Sequence, residues 1–473
     1  MNNDNNHHTL IIDIGKTHVK IHVLNKRFEP EFARQMTNKV NTDGDYPSLD
    51  TDAIWQWLCE TIRAASAQYP IEKMTITTHG ATAALVNREN SGDSGLVLPI
   101  LDYEYDSIYE QTPDYENLRP DFDTTYSPML PAGLNLGRQL YWLQRQFPQP
   151  FSTATDILMY PQYWVWRLTG HLSSEITSLG CHTDLWSLQD DDFSSLVDTL
   201  QIRDLFPPLH HAWFNCGQVT PELTEHLGVQ PGCQVFNGLH DSNASFLRYR
   251  MTQKDAPFTV VSTGTWTILM ASNVPLNSLR HDKDMLANID ALGTPVACAR
   301  FMGGREFERI CEQAGSWLGE QFTEADIQQV ITEQVFALPD FSQGSGPFGG
   351  HPSGFSGPLE KISGIALATL YSALMIDYQL TMLQARGNVY IEGAFLKNPL
   401  LCSLLNQLRR EQNVYLSSDS TGTVLGAAYL TDWQNAEGQI DIQDAGHTKV
   451  AGLNEYKRQW LQQIELGHQP LRA

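Results

Sequence analysis

The pattern of apolar and polar positions divides the chain into strand and helix segments in a recurring order. Leu10, Ile11, Ile12 and Ile14 form an apolar run, as a strand covered on both faces requires. Gly15, Lys16, Thr17 and His18 interrupt it. Val19, Ile21 and Val23 then alternate with Lys20 and His22, the period of a half-buried strand. The spacing predicts two antiparallel strands joined by a tight polar loop. Asp50 or Thr51 caps a predicted helix running to about Gln68, with Ile54, Trp57, Leu58, Ile62 and Ala65 on one face. A strand over 74–78 ends in His79-Gly80. The acidic, tyrosine-rich stretch 102–123 reads as irregular. Helical periods recur over 137–147 and 159–168, the second closed by Thr169-Gly170. A strand over 233–237 leads through Gly238-Leu239-His240-Asp241 into a helix starting near Ser242.

Residues 257–272 repeat the opening theme. A β-rich run is broken by Thr263-Gly264-Thr265 and resumes as a second β run. A long helix over 361–385, closed at Arg386-Gly387, feeds a strand over 388–391, then Glu392-Gly393, then another helix. That copies the helix, strand, His-Gly order of the first half, so the pattern predicts an internal duplication in an α/β fold. The division falls between Ser245 and Lys254. It gives an N-terminal lobe over 1–247, a C-terminal lobe over 248–440 and a tail over 441–473 with one amphipathic helix near 456–466.

Two motifs fail on context. Gly15-Lys16-Thr17 looks like the end of a P-loop, but the required upstream glycine position is Leu10, inside a strand. Gly344-x-Gly346-x-x-Gly349 matches a dinucleotide fingerprint by letter, yet it contains Pro347 and follows no strand, so it reads as loop.

The net charge of −23 over 473 residues makes nonspecific nucleic-acid binding a poor fit. Any phosphate site must then be local, built from backbone donors and a metal. Seven scattered cysteines without a C-x-x-C pair fit reduced cytosolic thiols. The start MNNDNNHHT lacks the basic and apolar regions of a secretory leader. No uninterrupted apolar stretch is read as long enough to span a bilayer.

The first hairpin carries candidate chemistry. Asp13 offers a carboxylate to a hydrated Mg²⁺, which keeps several waters and takes oxygen ligands. Gly15 allows close backbone approach, and Lys16, Thr17 and successive backbone N–H groups suit an anion. An ordinary hairpin with a polar tip is the competing reading. Two similar lobes with such hairpins facing a cleft suit ATP. Asp241, at a strand-to-helix junction, suits the proton acceptor of phosphoryl transfer. It also suits a simple helix cap.

In order and spacing these segments resemble the FGGY carbohydrate kinases, over nearly the whole chain. The matching pieces are Asp13-Ile14-Gly15-Lys16-Thr17, Gly238-Leu239-His240-Asp241-Ser242-Asn243-Ala244, Ser262-Thr263-Gly264-Thr265-Trp266, Ile391-Glu392-Gly393-Ala394-Phe395-Leu396-Lys397-Asn398 and the segment Gly422 to Ala428. His-Asp-Ser and Gly-Thr-Trp look most like the rhamnulokinase-like branch. Phe301-Met302-Gly303-Gly304 sits where that branch contacts substrate and nucleotide.

The resemblance implies two actin-like ATPase (ribonuclease H-like) lobes with a cleft between them, the first on the sugar side and the second on the nucleotide side. It implies an ATP-dependent, Mg²⁺-dependent cytoplasmic kinase acting on a primary hydroxyl of a ketose in carbohydrate catabolism. Rhamnulose, fuculose or a pentulose would be the substrate type. Asp241 would be the base and Asp13 the metal ligand. Gly15, Lys16, Thr17, Gly264, Thr265, Gly393 and Asn398 would hold ATP. His79, Gly80, Asp102, His240, Asp241, Ser242 and Arg300 would face the sugar. For His79, a satisfied buried histidine is the equal alternative. The partners implied are the sugar and ATP, with no nucleic acid and no membrane, and with a homodimer left open.

Three departures bear on specificity. The adenine motif begins Glu392-Gly393 rather than Gly-Gly. The sugar segment Asp102-Tyr103-Glu104-Tyr105-Asp106 has no arginine, which favours a neutral polyol or ketose. Lys16 and His18 replace small residues in the first hairpin. A non-catalytic sugar or nucleotide sensor on the same scaffold is the rival reading, and an actin- or chaperone-like ATPase a third.

Overall fold

A computed structural model describes residues 7–90, 94–342, 344–418 and 422–467. Contacts divide them into two compact units. The first takes in the chain up to Thr252, the segment Ala287–Pro295, and the segment 422–439 with its helix Gly422–Tyr429. The second takes in Gln253–Leu286, the chain from Val296 to the strand Val414–Ser417, and the segment from Ile440 onward.

In the first unit, β1 (His8–Ile14) and β2 (His18–Leu24) pair antiparallel, with Ile14 opposite Val19, and β3 (Pro30–Thr37) adds beside β2. Every residue of β1 is buried, because the strand lies inside the sheet. In β2 only Val19, Ile21, Val23 and Leu24 are, matching the alternation in sequence. Helix α1 (Thr51–Ser66) starts on Asp50, whose side chain accepts from the Ala53 N–H. Strand β4 (Ile71–Thr78) runs parallel to β1, with Asp13 opposite Thr77 and Ile14 opposite Thr78.

Helices α2 (Leu136–Gln146) and α3 (Tyr160–Thr169) come next along the chain, the latter closed by Gly170 at φ 76°. β5 (Asn215–Gln218) and β6 (Gln234–Phe236) extend the sheet in the order β5-β6-β4-β1-β2-β3. After a break at Asn237-Gly238, β7 (Leu239–His240) rejoins β4 and runs into helix α4 (Asp241–Gln253). The stretch 102–123 is mostly irregular, with short helical turns at Ser107–Glu110, Tyr115–Asn117 and Phe122–Thr125. The first two belong to a second core of this unit, around Ile108, Tyr115, Leu140 and Trp142.

The second unit repeats the order. β8 (Phe258–Thr263) and β9 (Thr267–Ala271) form the hairpin; the sheet continues with β10 (Met285–Ile289), most of which counts by contact with the first unit, and β11 (Pro295–Phe301), which pairs β9. Helices α5 (Gly303–Gln313) and α6 (Gly364–Met382) precede β12 (Asn388–Gly393), which runs parallel to β8. Helix α7 (Pro399–Leu408) leads to β13 (Val414–Ser417).

The chain division read from sequence, at 247/248 and 440/441, differs from the contact division: residues 248–252, Ala287–Pro295 and the segment 422–439 fall in the first unit, and the tail falls in the second. Helix α8 (Gly422–Tyr429) buries Val424, Ala427 and Ala428 with Ile11, Ala244 and Leu247 of the first unit. Gly426 lets it approach closely, since a Cβ there would stand 1.7 Å from the Ala244 carbonyl oxygen. Beyond 440, β14 (Ile442–Asp444) pairs β13, and helix α9 (Leu453–Gly467) buries Tyr456, Trp460 and Ile464. Trp460 donates its indole N–H to the Ala337 carbonyl at 2.8 Å, so this segment is part of the second unit's core.

One expectation is corrected. Helix α6 is long and apolar enough by composition to cross a membrane, but 83% of its apolar window is buried inside the protein. An all-round apolar helix is what a core position requires as well.

Candidate active site

The parallel register of the first unit brings together residues far apart in sequence. β1, β4 and β7 end in one row, with Ile14, Thr78 and His240 side by side. Ligand sites in open α/β sheets lie beyond such carboxyl ends. From β1 continues the 15–17 hairpin, from β4 His79-Gly80, and from β7 Asp241. The His79 N–H donates to the Ile14 carbonyl at 2.9 Å, which ties the first two ends.

The break before β7 aims the third end. Gly238 has φ 77°, and a Cβ there would lie 2.1 Å from the Ile76 carbonyl oxygen. Only glycine takes that conformation at that distance without strain. Asn237, wholly buried, holds the break: its Oδ1 accepts from Ser173 Oγ at 2.6 Å, and its Nδ2 faces the Ser174, His210 and His211 carbonyls at 3.3 Å. The His240 N–H donates to Thr177 Oγ1 at 3.0 Å. The Thr177 N–H and hydroxyl in turn donate to Glu175 Oε2 at 2.9 and 2.6 Å.

Hydrogen bonding fixes the histidine tautomers. His79 Nδ1 lies 3.1 Å from the Gly80 carbonyl, which can only accept, and 3.3 Å from the Thr82 hydroxyl, whose own proton goes to the same carbonyl at 3.1 Å, an arrangement satisfied with the proton on Nδ1. Nε2 is then a buried lone pair with no partner among the described residues. Asn243 Nδ2 lies 3.3 Å from His240 Nδ1 and donates to it, so His240 Nε2–H donates to Asp241 Oδ1 at 3.2 Å. Burial holds both rings below the usual imidazole range, His240 at about 4, so both are neutral at physiological pH.

Asp241 is asymmetric. Its Oδ1 takes the Ser242 N–H at 2.6 Å, the Ser242 hydroxyl at 3.3 Å and His240. No donor among the described residues is set against Oδ2, and the side chain is 30% exposed. Burial raises its pKa, with His79 and the Ser242 donors opposing. Oδ1 is thus tied to the neighbouring Ser242 and His240, while Oδ2 of the same carboxylate meets no donor among the described residues. Asp13 is buried beneath the hairpin, with Lys20 at 3.5 Å. Burial lifts it to about 6, against Lys20 and with the Asp241 charge adding to the rise. A buried, weakly neutralised carboxylate of this kind fits a divalent cation. No cluster of three or more metal-ligating side chains occurs among the described residues, so a cation here would complete its shell with water and phosphate oxygens.

In the second unit the hairpin closes with the Gly264 N–H on the Trp266 carbonyl at 2.8 Å. The first turn of α5 is pressed against it: a Cβ on Gly304 would lie 2.3 Å from the Gly264 carbonyl oxygen. Thr263 clasps the end of β12, donating to the Glu392 carbonyl at 2.6 Å and accepting from the Phe395 N–H at 2.9 Å. Gly393 has φ 88°, and a Cβ there would lie 2.1 Å from the Thr263 carbonyl oxygen. The exposed threonines Thr17 and Thr265 sit at the two hairpin tips.

Several expectations are redrawn. Gly15 and Gly264, at the hairpin tips, lie outside the left-handed region; positive φ occurs at Gly238 and Gly393. Gly80 is required because a Cβ would stand 2.8 Å from His240 Nε2. Lys16 and Asp102, assigned apart to phosphate and sugar, form an ion pair, with Glu104 at 3.2 Å from the same ammonium. Arg300 lies in the second unit, paired with Asp284 at 2.9 Å and over the Trp266 ring at 4.8 Å, whereas His79, His240 and Asp241 belong to the first. Asn398 caps α7 through the Leu401 N–H and donates to Thr369 Oγ1 at 2.9 Å. Sequence reasoning missed Glu175, Thr177 and Asn237. Only Asn237, beside Gly238, carried a local signal, an Asn-Gly turn pair.

Two family models match the chain. The N-terminal domain of the FGGY family of carbohydrate kinases covers residues 8–247, and the C-terminal domain of carbohydrate kinase FGGY covers residues 255–439. Among curated relatives, an L-fuculokinase of Escherichia coli (strain K12) is 26% identical over 281 residues, 57% of each chain. A rhamnulokinase of Halalkalibacterium halodurans is 26% identical over 28% of each. The chain thus spans a little over half the length of the first relative. Among solved structures, a carbohydrate kinase from Novosphingobium aromaticivorans superposes with TM-score 0.87 at 31% identity, over 97% of this chain and 98% of that one. A xylulose kinase from Lactobacillus acidophilus superposes with TM-score 0.78 at 13% identity, over 97% and 98%, a likeness of fold alone.

Proposed function

We propose that this chain, which belongs to the FGGY family of carbohydrate kinases and has the two-lobed actin-like ATPase fold, transfers the terminal phosphoryl group of ATP to a primary hydroxyl of a ketose. The observation that carries the reading is Asp241 at the end of β7, with Oδ1 taken by the Ser242 and His240 donors and no donor among the described residues set against Oδ2. Oδ2 accepts the proton of the attacking hydroxyl. His79 Nε2, bare and buried, accepts a second hydroxyl and orients the sugar. The free oxygen is placed by the Ser242 N–H and by the fixed His240 tautomer. In a loose transition state that orientation matters as much as basicity.

Asp13 would hold Mg²⁺, which when bound neutralises charge developing on the transferred phosphoryl group. The backbone donors of the 15–17 and 264–265 hairpins, with Thr17 and Thr265, suit phosphate oxygens. Gly393 and the first turn of α5 shape the nucleotide side. Fuculokinase, xylulose kinase and rhamnulokinase relatives point to a six- or five-carbon ketose, and a sugar of this kind fits a cytoplasmic enzyme of carbohydrate catabolism.

The test is ADP release with ATP and Mg²⁺ against a panel of L-fuculose, L-rhamnulose, the xyluloses and neutral polyols. At least one neutral ketose is expected to raise ADP release far above the sugar-free rate. Phosphate release that ignores every sugar would make the chain an ATPase. Sugar binding without turnover would make it a sensor.

A further inference from the structure

The first hairpin has a lysine where a polar tip needs only small residues, and the structure shows where it goes. The Lys16 ammonium binds Asp102 Oδ1, lies 3.2 Å from Glu104 Oε2 and stands 4.9 Å over the Tyr103 ring. All three partners are consecutive residues of one loop, and none is on the hairpin. The pair is recessed, with side-chain exposures of 18% for Lys16 and 8% for Asp102. The Tyr103 ring in turn meets the His79 ring edge-on at 5.4 Å. A continuous chain of contacts therefore runs from the hairpin tip to the sugar-side histidine.

Asp102 repeats the asymmetry of Asp241. Its Oδ1 takes Lys16 and, at 3.2 Å, the Glu104 N–H, while no donor among the described residues is set against Oδ2. Backbone bonds fix the loop independently: Asp102 N–H to the Pro47 carbonyl, and Gly133 N–H to the Tyr103 carbonyl, both at 2.9 Å. The rotation of the carboxylate is set at Oδ1 by two donors, the Glu104 N–H from the loop itself and the Lys16 ammonium, the one charged donor, from the hairpin.

We propose that Lys16 is a positioning residue for the sugar rather than a ligand of ATP: it turns Asp102 so that Oδ2 accepts a hydroxyl of a neutral sugar. It supplies from the hairpin the cation that the segment 102–106 lacks. An ammonium already engaged by two carboxylates has little left for a phosphate. The carboxylates around it disfavour a ligand with an acid group of its own. The inference rests on the kinase reading only for the identity of the sugar.

Calorimetry without ATP reads sugar binding whether or not the chain turns over, using the panel ketose bound best by the wild type. Lys16→Met is expected to weaken that ketose at least tenfold and to leave the affinity for ATP, measured separately, within twofold. Lys16→Arg is expected to restore sugar affinity to within about threefold, because a guanidinium also pairs with a carboxylate. In an Asp102→Asn background, Lys16→Met is expected to add less than twofold, since its object is already gone. Thermal melting checks that each variant folds. Loss of ATP affinity with sugar affinity intact would overturn the inference and return Lys16 to the phosphates. Equal effects of Lys16→Met with and without Asp102 would also overturn it. A wild type that binds ATP but no panel sugar would overturn the sugar-kinase reading and the inference together. Binding without turnover would overturn the kinase reading alone.

Discussion

The hairpin ends of the two units share a strand order and are filled differently. At the ends of β1, β4 and β7 and in the loops beyond them, the first unit gathers ionisable side chains: Asp13, Lys16, His79, Asp102, His240 and Asp241. Beyond β8 and β12 the second unit gathers backbone: the Gly304 and Gly393 α-carbons lie against the carbonyls of Gly264 and Thr263. The equivalent glycine of the first unit, Gly80, is spared a side chain for the sake of an imidazole, not a carbonyl. One topology thus builds a chemical end and a shape-defined end. A base must be tuned by neighbouring charge and burial. A nucleotide cradle needs donors at fixed distance, which tightly packed backbone provides.

The sharpest break of this contrast is Asp241→Asn. It keeps the shape of the end and removes the carboxylate proposed as its base. kcat is expected to fall by about 10²–10⁴-fold, with ATP affinity, by calorimetry, within twofold. A variant with wild-type kcat would reduce Asp241 to a helix cap and move the base elsewhere.

A pair of substitutions tests the shape-defined end. Gly304→Ala puts a methyl against the Gly264 carbonyl at 2.3 Å, backbone that cannot swing aside. Gly264→Ala meets nothing closer than 3.7 Å, at a φ outside the left-handed region. KM for ATP is expected to rise at least tenfold in the first and less than threefold in the second, while sugar affinity stays within twofold in both. If Gly264→Ala proved the more damaging, close backbone approach at the hairpin tip, rather than packing behind it, would govern the site.

The smallest expected effect concerns the support of the chemical end. Glu175 is wholly buried, and burial pushes its pKa up to about 7 from an ordinary 4.5. The folded state therefore holds this proton more tightly than the unfolded one. The resulting penalty is absent below pH 4.5, grows between 4.5 and 7, and is complete above 7; its ceiling is about 3 kcal/mol. Glu175→Gln removes it. The fall in melting temperature from pH 5 to pH 8 is expected to be smaller in the variant by about 3 °C or more. Identical slopes would mean that Glu175 is ionised in the fold across this range.

The apolar pattern was enough to locate both hairpins, α1, α3 and the strand before Asp241, because each is a local run whose period shows in a few residues. It was also enough to place Asp13, His79, His240 and Asp241 at strand ends, where an α/β fold puts its chemistry. It could not show that Lys16 would pair with Asp102, 86 residues away, or that Arg300 would settle on Asp284 and Trp266. Those choices depend on which side chains the folded backbone brings within ion-pair distance. For the same reason the helix α8, read in sequence with the second half, belongs by contact to the first. Its small residues admit the close approach of α4, and only the packed structure reveals what a small residue is small for.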